Sequence, residues 1–372
     1  MGNVSTIGNA ERLSRLRLIR SENVGPVTYR QIIERYGSAD DGLIALPELA
    51  KRGGRKKPIK ICPKSRAEDE LALIEAAGAH LLTLGEPEYP VAMASIYDAP
   101  PVVTVKGHAH LLARRAVGVV GARNASAAAI RFTRQIATAL GGHDLVIVSG
   151  LARGIDGAAH EGSLKTGTIA VVAGGVDVVY PPEHQALYDQ IVDQGVVIAE
   201  QPTGTKPLGR HFPRRNRLIS GLSLGVLVIE AALKSGSLIT ARMALEQGRE
   251  VMAVPGSPLD PRCRGTNDLL RQGATLVESE NDVLEAIGGM LTGQIDEPDP
   301  DLFSYARSVV PGAAELEKSR GVVHEKLGPT PVSVDELVRQ CHLTPAVVFT
   351  ILLELELAGR LERHPGNMVS LL

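Results

Sequence analysis

A doubly wound, Rossmann-like α/β domain with a parallel sheet, flanked by an N-terminal helical domain and a C-terminal winged-helix-like domain, is the fold class predicted by this 372-residue sequence. Three observations carry it. Between Pro100 and Gly289, short β-branched runs alternate with amphipathic helical stretches, as in a parallel sheet covered on both faces. Upstream of that region the apolar spacing is helical, and downstream an acidic, Pro-rich stretch precedes two helices and a hairpin signal. A chain of this length also exceeds what one hydrophobic core usually serves.

In chain order, the first helical segment carries Leu13, Leu16, Leu18 and Ile19 and breaks at Val24-Gly25-Pro26, a helix-hairpin-helix-like turn. A second helical segment follows from Tyr29 to Tyr36. Residues 51–58, Lys-Arg-Gly-Gly-Arg-Lys-Lys-Pro, are too rich in glycine and charge for a helix interior and read as an exposed basic loop. That loop is either plain solvated surface or an auxiliary contact for a polyanion. Strands are expected over 102–105, 117–120, 145–149, 169–173, 196–199, 226–229 and 251–254, and helices over 127–140, 155–165, 184–194 and 238–247. Residues 292–301 form a linker without periodicity. Helices follow over 333–341 and 345–358, the second opened by Thr344 and Pro345 and closed by Gly359, and a hairpin turns at Pro365-Gly366-Asn367. The domain boundaries expected are 1–85 helical, 86–290 sheet, 291–318 linker and 319–372 winged-helix-like.

Apolar residues at 44% and charged residues at 22% describe a globular chain, and the net charge of −2 means that any polyanion site is local. Three cysteines, Cys62, Cys263 and Cys341, lie far apart with no CxxC, which predicts buried or incidental thiols, no metal centre and a reducing cytoplasm. No apolar run reaches the length of a membrane span, and the N-terminus lacks the pattern of a secretory signal. A soluble protein is expected.

Anion seats recur at strand ends. Gly121-Ala122-Arg123-Asn124-Ala125-Ser126 runs from a strand into a helix, where glycine, free N–H groups and a fixed cation suit a phosphate. Gly150-Leu151-Ala152-Arg153-Gly154-Ile155-Asp156 repeats the design, and Lys234-Ser235-Gly236-Ser237 supplies a third. Asp156 and His160, one helical turn apart, could form a metal or acid–base pair. A helix-surface hydrogen bond is the reading preferred for them. The stretch 206–220 is basic throughout, with Arg210, Arg214, Arg215, Asn216 and Arg217 around Phe212, in a chain of only four phenylalanines and no tryptophan. Several cations along one segment suit several phosphates, and an aromatic ring among them suits an unstacked base. The alternative is that Phe212 is core and that Glu200 and Glu230 pair with the arginines, and those carboxylates also keep a hydrolase in view.

Taken in order, Gly121-Ala122-Arg123, the 150–156 motif with His160, Phe212-Pro213-Arg214-Arg215-Asn216-Arg217, the 235–240 turn and Val254-Pro255-Gly256 strongly resemble the DNA-processing protein A (DprA, or Smf) family over residues 100–289. The resemblance implies a cytoplasmic protein of natural transformation that binds and protects incoming single-stranded DNA, helps load the recombinase RecA, and forms a homodimer through the Rossmann-like domain. It implies a sterile-alpha-motif-like helical domain, a winged-helix-like domain, no cofactor and no catalytic reaction. The DNA pocket it implies comprises Arg123, Arg153, Phe212, Arg214, Arg215, Arg217 and the 235–237 turn. Some members carry a lysine three positions before the phenylalanine, where this chain has Gly209 beside Arg210.

Two enzymatic alternatives sharpen the expectation. A nicotinamide-dependent oxidoreductase would carry GxGxxG where this chain reads Gly118-Val119-Val120-Gly121-Ala122-Arg123. A nucleotide phosphoribohydrolase of the lysine-decarboxylase-like type would carry PGGxGTxxE, of which only the fragments Pro255-Gly256-Ser257 and Gly265-Thr266-Asn267 occur. The second expected helix of the winged-helix-like domain holds Glu354 and Glu356 but no lysine or arginine, which predicts a protein-contact or regulatory module rather than a reader of the major groove.

Overall fold

The structure is a computed structural model and describes residues 7–289, 312–364 and 366–372. Residues 70–289 form one compact unit, and residues 7–69 together with 312–372 form the other.

Local chemistry accounts for the N-terminal helices. After α1 (Asn9–Ile19), helix α2 (Pro26–Tyr36) begins with Pro at its first position, where a missing N–H goes unmissed, and ends on left-handed Gly37. Ser38 caps α3 (Ala39–Arg52) by accepting from the Asp41 amide. The basic loop then leads to α4 (Lys64–Ala76).

The helical reading to residue 85 needs correction. Residues His80–Thr83 are a strand, β1, joined through α5 (Val91–Ala94) to β2 (Val102–Gly107), with which it pairs antiparallel. Its four residues are too few to display a period, and pairing with β2 supplies the preference that local sequence lacks. A short 3₁₀ turn then leads to β3 (Ala116–Gly121).

From β3 the chain alternates through α6 (Ala127–Gly142), β4 (Val146–Ser149), α7 (Ile155–Ser163), β5 (Thr168–Val172), α8 (Gln185–Gln194) and β6 (Val196–Ala199). It continues through α9 (His211–Gly221), β7 (Gly225–Ile229), α10 (Gly236–Glu246), β8 (Glu250–Ala253), α11 (Arg264–Arg271), β9 (Thr275–Leu276) and α12 (Glu280–Ala286). The sheet order is β1-β2-β6-β5-β4-β3-β7-β8-β9, and the seven strands from β3 to β9 run parallel. β2 lies antiparallel to β6 at one edge, because the link from β2 to β3 is too short for a parallel crossover.

Each sheet face has its own core. Val148, Val171, Ile198 and Val228 pack on one face with Leu218 and Ile219 of α9 and Ala241 of α10. Val117, Val119, Ile147 and Leu227 pack on the other with Ile136 of α6, Ile155 of α7 and Val283 of α12. The chain leaves β3 toward β4 with helices on one face, and proceeds from β7 to β8 with helices on the other. The order therefore reverses between β3 and β7, which places a crevice beyond the carboxyl ends of these strands.

In the second unit, α13 (Ala313–Lys326) precedes β10 (Val332–Ser333), α14 (Val334–Cys341), α15 (Pro345–Leu357), β11 (Leu361–His364) and β12 (Met368–Leu371). β12 pairs antiparallel with both β10 and β11, giving a winged-helix arrangement. The expected linker, 291–318, lies mostly outside the described residues, and its last part is corrected, since residues 313–318 are the first turns of α13. Pro365 of the hairpin signal is outside the described residues, while Gly366 and Asn367 both have positive φ, as a tight hairpin turn requires. The three cysteines are free and buried. No single helix among the described residues is long and apolar enough to cross a membrane.

The two ends of the sequence share one core. Leu353 and Leu357 of α15 are buried with Leu18, Leu43, Leu46 and Leu49 of the N-terminal helices. The contact is close enough to need glycine: a Cβ on Gly53 would lie 1.9 Å from the Glu354 carbonyl oxygen. Asn23 Nδ2 also donates to the Leu357 carbonyl at 3.2 Å.

Candidate nucleic-acid interface

Six connections emerge at the carboxyl edge of the parallel strands, after β3, β4, β5, β6, β7 and β8, and most of the residues marked by sequence lie on them or at the start of the helices they lead into. The connections after β3 and β7 flank the reversal and are tied to each other. Ser126 caps α6, and the Glu230 carboxylate accepts from its amide at 2.8 Å and its hydroxyl at 2.6 Å. Glu230 adopts a positive φ of 47° to do so. The expectation that Glu230 pairs with an arginine is thus corrected, since its carboxylate is engaged in holding the start of α6.

The turn after β4 is built from beneath. Gly154 has a φ of 74°, and a Cβ there would meet the Ala122 carbonyl oxygen at 2.3 Å, so this turn packs directly on the one after β3. Gly150 lies against the Arg215 guanidinium, and Gly121 against the Ile229 carbonyl, with no room for a side chain at either position. The Asp156 carboxylate accepts from the amides of Gly150 at 3.1 Å and Ala152 at 3.4 Å. His160 Nε2 accepts from the Leu151 amide at 3.3 Å, so its proton resides on Nδ1, which faces Thr168 Oγ1 at 2.7 Å. Asp156 and His160 are therefore neither a metal pair nor a surface hydrogen bond. Both are buried and hold the glycine-rich turn, because amides freed by the turn need acceptors below it. Burial pushes the His160 imidazole down to about 3, keeping it neutral, and burial raises the Asp156 carboxyl.

Helix α9 divides the basic segment along its length, with residues 215–221 buried and Arg210 and Arg214 exposed at its start. Arg217 is 7% exposed and forms ion pairs with Glu200 and with Asp98, the latter at 3.2 Å. Arg215 is 6% exposed and donates to the Val171 carbonyl under the Gly150 turn, and burial lowers its pKa to about 10. Asn216 Nδ2 donates to the Gly236 carbonyl at 3.2 Å, steadying the start of α10. These three were expected at the surface among phosphates, and they are buried instead because α9 beyond its first turn is enclosed by the sheet, α5 and α10. Arg210 and Arg214 point outward and are exposed.

Phe212 is half-buried, with the Arg123 guanidinium carbon 5.3 Å from its ring centroid and the Tyr180 ring centroid at 5.6 Å. Tyr180, 46% exposed on the connection after β5, went unmarked by sequence, although an aromatic-Pro-Pro step after Gly174-Gly175 is an available signal in a chain so poor in aromatics. Arg153 is exposed but ion-paired with Glu183. Ser235 caps α10 and shares a 2.6 Å hydrogen bond with Ser237, while Gly236 faces open space. Arg123, Lys206, Arg210, Arg214 and Lys234 are exposed, and among the described residues none of them forms an ion pair with a carboxylate. A row of unneutralised cations beside a ring pair is suited to phosphates and an unstacked base.

Comparison with known proteins agrees across the chain. The family model for DNA recombination-mediator protein A matches residues 80–288, a DprA-like N-terminal HHH domain matches 9–72, and a DprA winged helix domain matches 309–367. Protein Smf of Escherichia coli is 39% identical over 312 residues, 83% of this chain and 82% of that one. The DNA processing protein DprA of Streptococcus pneumoniae is 40% identical over 263 residues, 69% of this chain and 93% of that one. The X-ray structure of DprA from S. pneumoniae superposes with a TM-score of 0.64 at 35% identity, covering 75% of this chain and 98% of that chain. A DNA processing protein A from Helicobacter pylori, described for its single-stranded DNA binding mode, gives a TM-score of 0.52 at 28% identity, covering 57% and 95%. With its sheet domain, helical domain and winged helix each matched in order, the chain belongs to the DNA recombination-mediator protein A (DprA/Smf) family.

Proposed function

We propose that this protein binds single-stranded DNA along the carboxyl edge of the parallel sheet, as a recombination mediator rather than a catalyst. The observation that carries the reading is the cluster of Arg123, Phe212 and Tyr180 beside exposed cations that no carboxylate neutralises among the described residues. Arg123, Lys206, Arg210, Arg214 and Lys234 hold phosphates, and a base stacks on the Phe212–Tyr180 pair. The Ser235–Ser237 turn and the open Gly236 give a further phosphate its backbone donors. Arg215 acts from below as a buried positive charge, Arg217 and Asn216 shape the surface, and Gly121, Gly150, Gly154 and Ser126 hold the turns together. Arg153 joins the DNA contacts only by exchanging Glu183 for a phosphate.

The glutamates that kept a hydrolase in view are engaged elsewhere, Glu200 with Arg217 and Glu230 with Ser126. This supports binding over turnover, and release of free base from nucleoside monophosphates, abolished by Glu200→Gln or Glu230→Gln, would overturn it. In the cell the protein protects incoming single strands and helps load RecA during natural transformation, acting in the cytoplasm as a homodimer formed through the sheet domain. Kinship with the DprA proteins supports this role. A salt-dependent titration with oligothymidylate tests the binding claim, and equal affinity of the wild type for duplex and single strand would sink the stacking argument.

A further inference from the structure

The basic loop of residues 51–60 takes no part in that reading, and the structure gives it a setting. Helix α3 ends at Arg52, and Gly53 packs on the backbone of α15 with no space for a Cβ. Beside this contact, within the unit built from the two ends of the chain, opens a cavity of about 290 Å³ lined by Arg52, Gly53, Arg320, His324, Glu354 and Arg360.

One of its arginines lacks a carboxylate partner among the described residues. Arg320 is neutralised by buried Glu354, at 2.9 Å, and by Glu317. Among the described residues Arg52 is paired with the exposed Glu48, at 3.1 Å. Arg360 reaches the Gly53 carbonyl at 3.4 Å and His324 Nε2 at 2.6 Å. A guanidinium can only donate, so His324 Nε2 is the acceptor in that contact. Arg360 therefore rests on a carbonyl and an imidazole nitrogen, and among the described residues no carboxylate lies within ion-pair distance of it. Lys51, in the last turn of α3, and Lys56 and Lys57 on the adjoining loop stand exposed. Arg52, Arg320 and Arg360 thus line a concave site in which only Arg360 lacks a carboxylate partner among the described residues, and a glycine contact fixes its walls.

We propose that this cavity is a second anion site, taking a phosphate group, with Arg360 as principal donor and Arg52 at its rim. The phosphate belongs either to a nucleic-acid backbone or to a free phosphate compound, and both present the same oxygens to a guanidinium. The winged helix then contributes to anion binding through its seam with the helical segment, without a helix entering a groove.

The test uses the full chain as wild type, Arg360→Gln and Arg52→Gln, with two probes, inorganic pyrophosphate and a long oligothymidylate titrated across salt. Arg360→Gln should weaken at least one probe about tenfold. If the oligomer is the ligand, its salt slope should also flatten by about 0.7. Loss confined to the oligomer assigns the site to a nucleic-acid backbone, and loss that includes pyrophosphate assigns it to phosphate compounds generally. Arg52→Gln, on the exposed rim, should give a smaller loss of about threefold and keeps the test open if Arg360→Gln fails to fold. Phe212→Ala should leave pyrophosphate binding at this site intact, which separates it from the edge of the sheet. Unchanged binding of both probes in both variants, with Arg360→Gln merely melting earlier, would overturn the proposal and leave Arg360 as a staple between Gly53 and His324.

Discussion

Helices α9 and α15 invite comparison, because each occupies the position in its domain from which a nucleic acid could be contacted. α9 is short and arginine-rich, and its start differs from its body: Arg215 and Arg217 are buried against polar partners, while Arg214 and the preceding Arg210 face solvent without carboxylate partners among the described residues. α15 corresponds to the second helix of a winged helix, yet Leu353 and Leu357 are buried against the N-terminal helices and Glu354 is clamped by Arg320. The helix whose domain is known for DNA recognition is thus packed into a core, and the helix in a fold known for dinucleotides is left charged and open. Domain type alone therefore says little about where a polyanion goes. What decides is which cations end up paired.

The largest effect should fall on stability and should separate two arginines on one helix. Arg217→Ala removes the cation of a buried ion pair and should lower the unfolding free energy by about 3–5 kcal/mol in denaturant titration. Arg214→Ala should change stability by less than about 0.5 kcal/mol, yet weaken oligothymidylate about tenfold. Comparable destabilisation by both would erase the division of α9. Next, Leu353→Ala should cost about 2–5 kcal/mol, and Gly53→Ala about 1–3 kcal/mol, since a Cβ has nowhere to go against α15. If neither variant shifts the unfolding of the helical segment, the shared core of the chain ends is refuted.

On the binding edge, Phe212→Ala should lose about 1–3 kcal/mol of affinity with an unaltered salt slope, whereas Arg123→Ala should flatten that slope by about 0.7. A pH experiment probes the support beneath the turn after β4. Unfolded His160 takes up a proton near 6.5, whereas the folded protein resists until about 3. Between those values the unfolded state binds more protons, so stability falls as pH drops, by at most about 1.4 kcal/mol per pH unit from this group. The raised carboxyl of Asp156 works in the opposite direction, so the difference between wild type and His160→Gln isolates the histidine. The smallest effect should be that of Ser126→Ala, about 1 kcal/mol through loss of the α6 cap.

Much of this was legible in the residues, and the misses share a cause. The alternation of β-branched runs with amphipathic helices located β3 to β8 within a residue or two, because strands buried on both faces must be apolar throughout. β1 and β9 escaped notice, since four and two residues carry no period and become strands through their partners. Phe212 and Arg123 stood out by rarity and by their place after a strand. Arg215, Asn216 and Arg217 stood out just as clearly and proved to be buried, because a run of basic residues does not reveal which side of a helix each will occupy. Tyr180 was missed for the converse reason, being a lone aromatic far along the chain from Phe212.

The sequence by itself determined the family, the wound sheet, the glycine-rich turns and the helix caps, all of which depend on residues near one another or on repeated spacing. Only the tertiary structure decided which arginines are neutralised and that the first and last segments of the chain share a core. Those outcomes depend on contacts between residues tens to hundreds of positions apart, such as Arg217 with Asp98 or Gly53 with Glu354. A cation's charge is written in its residue type, whereas its availability to a ligand is set by whatever the fold brings beside it.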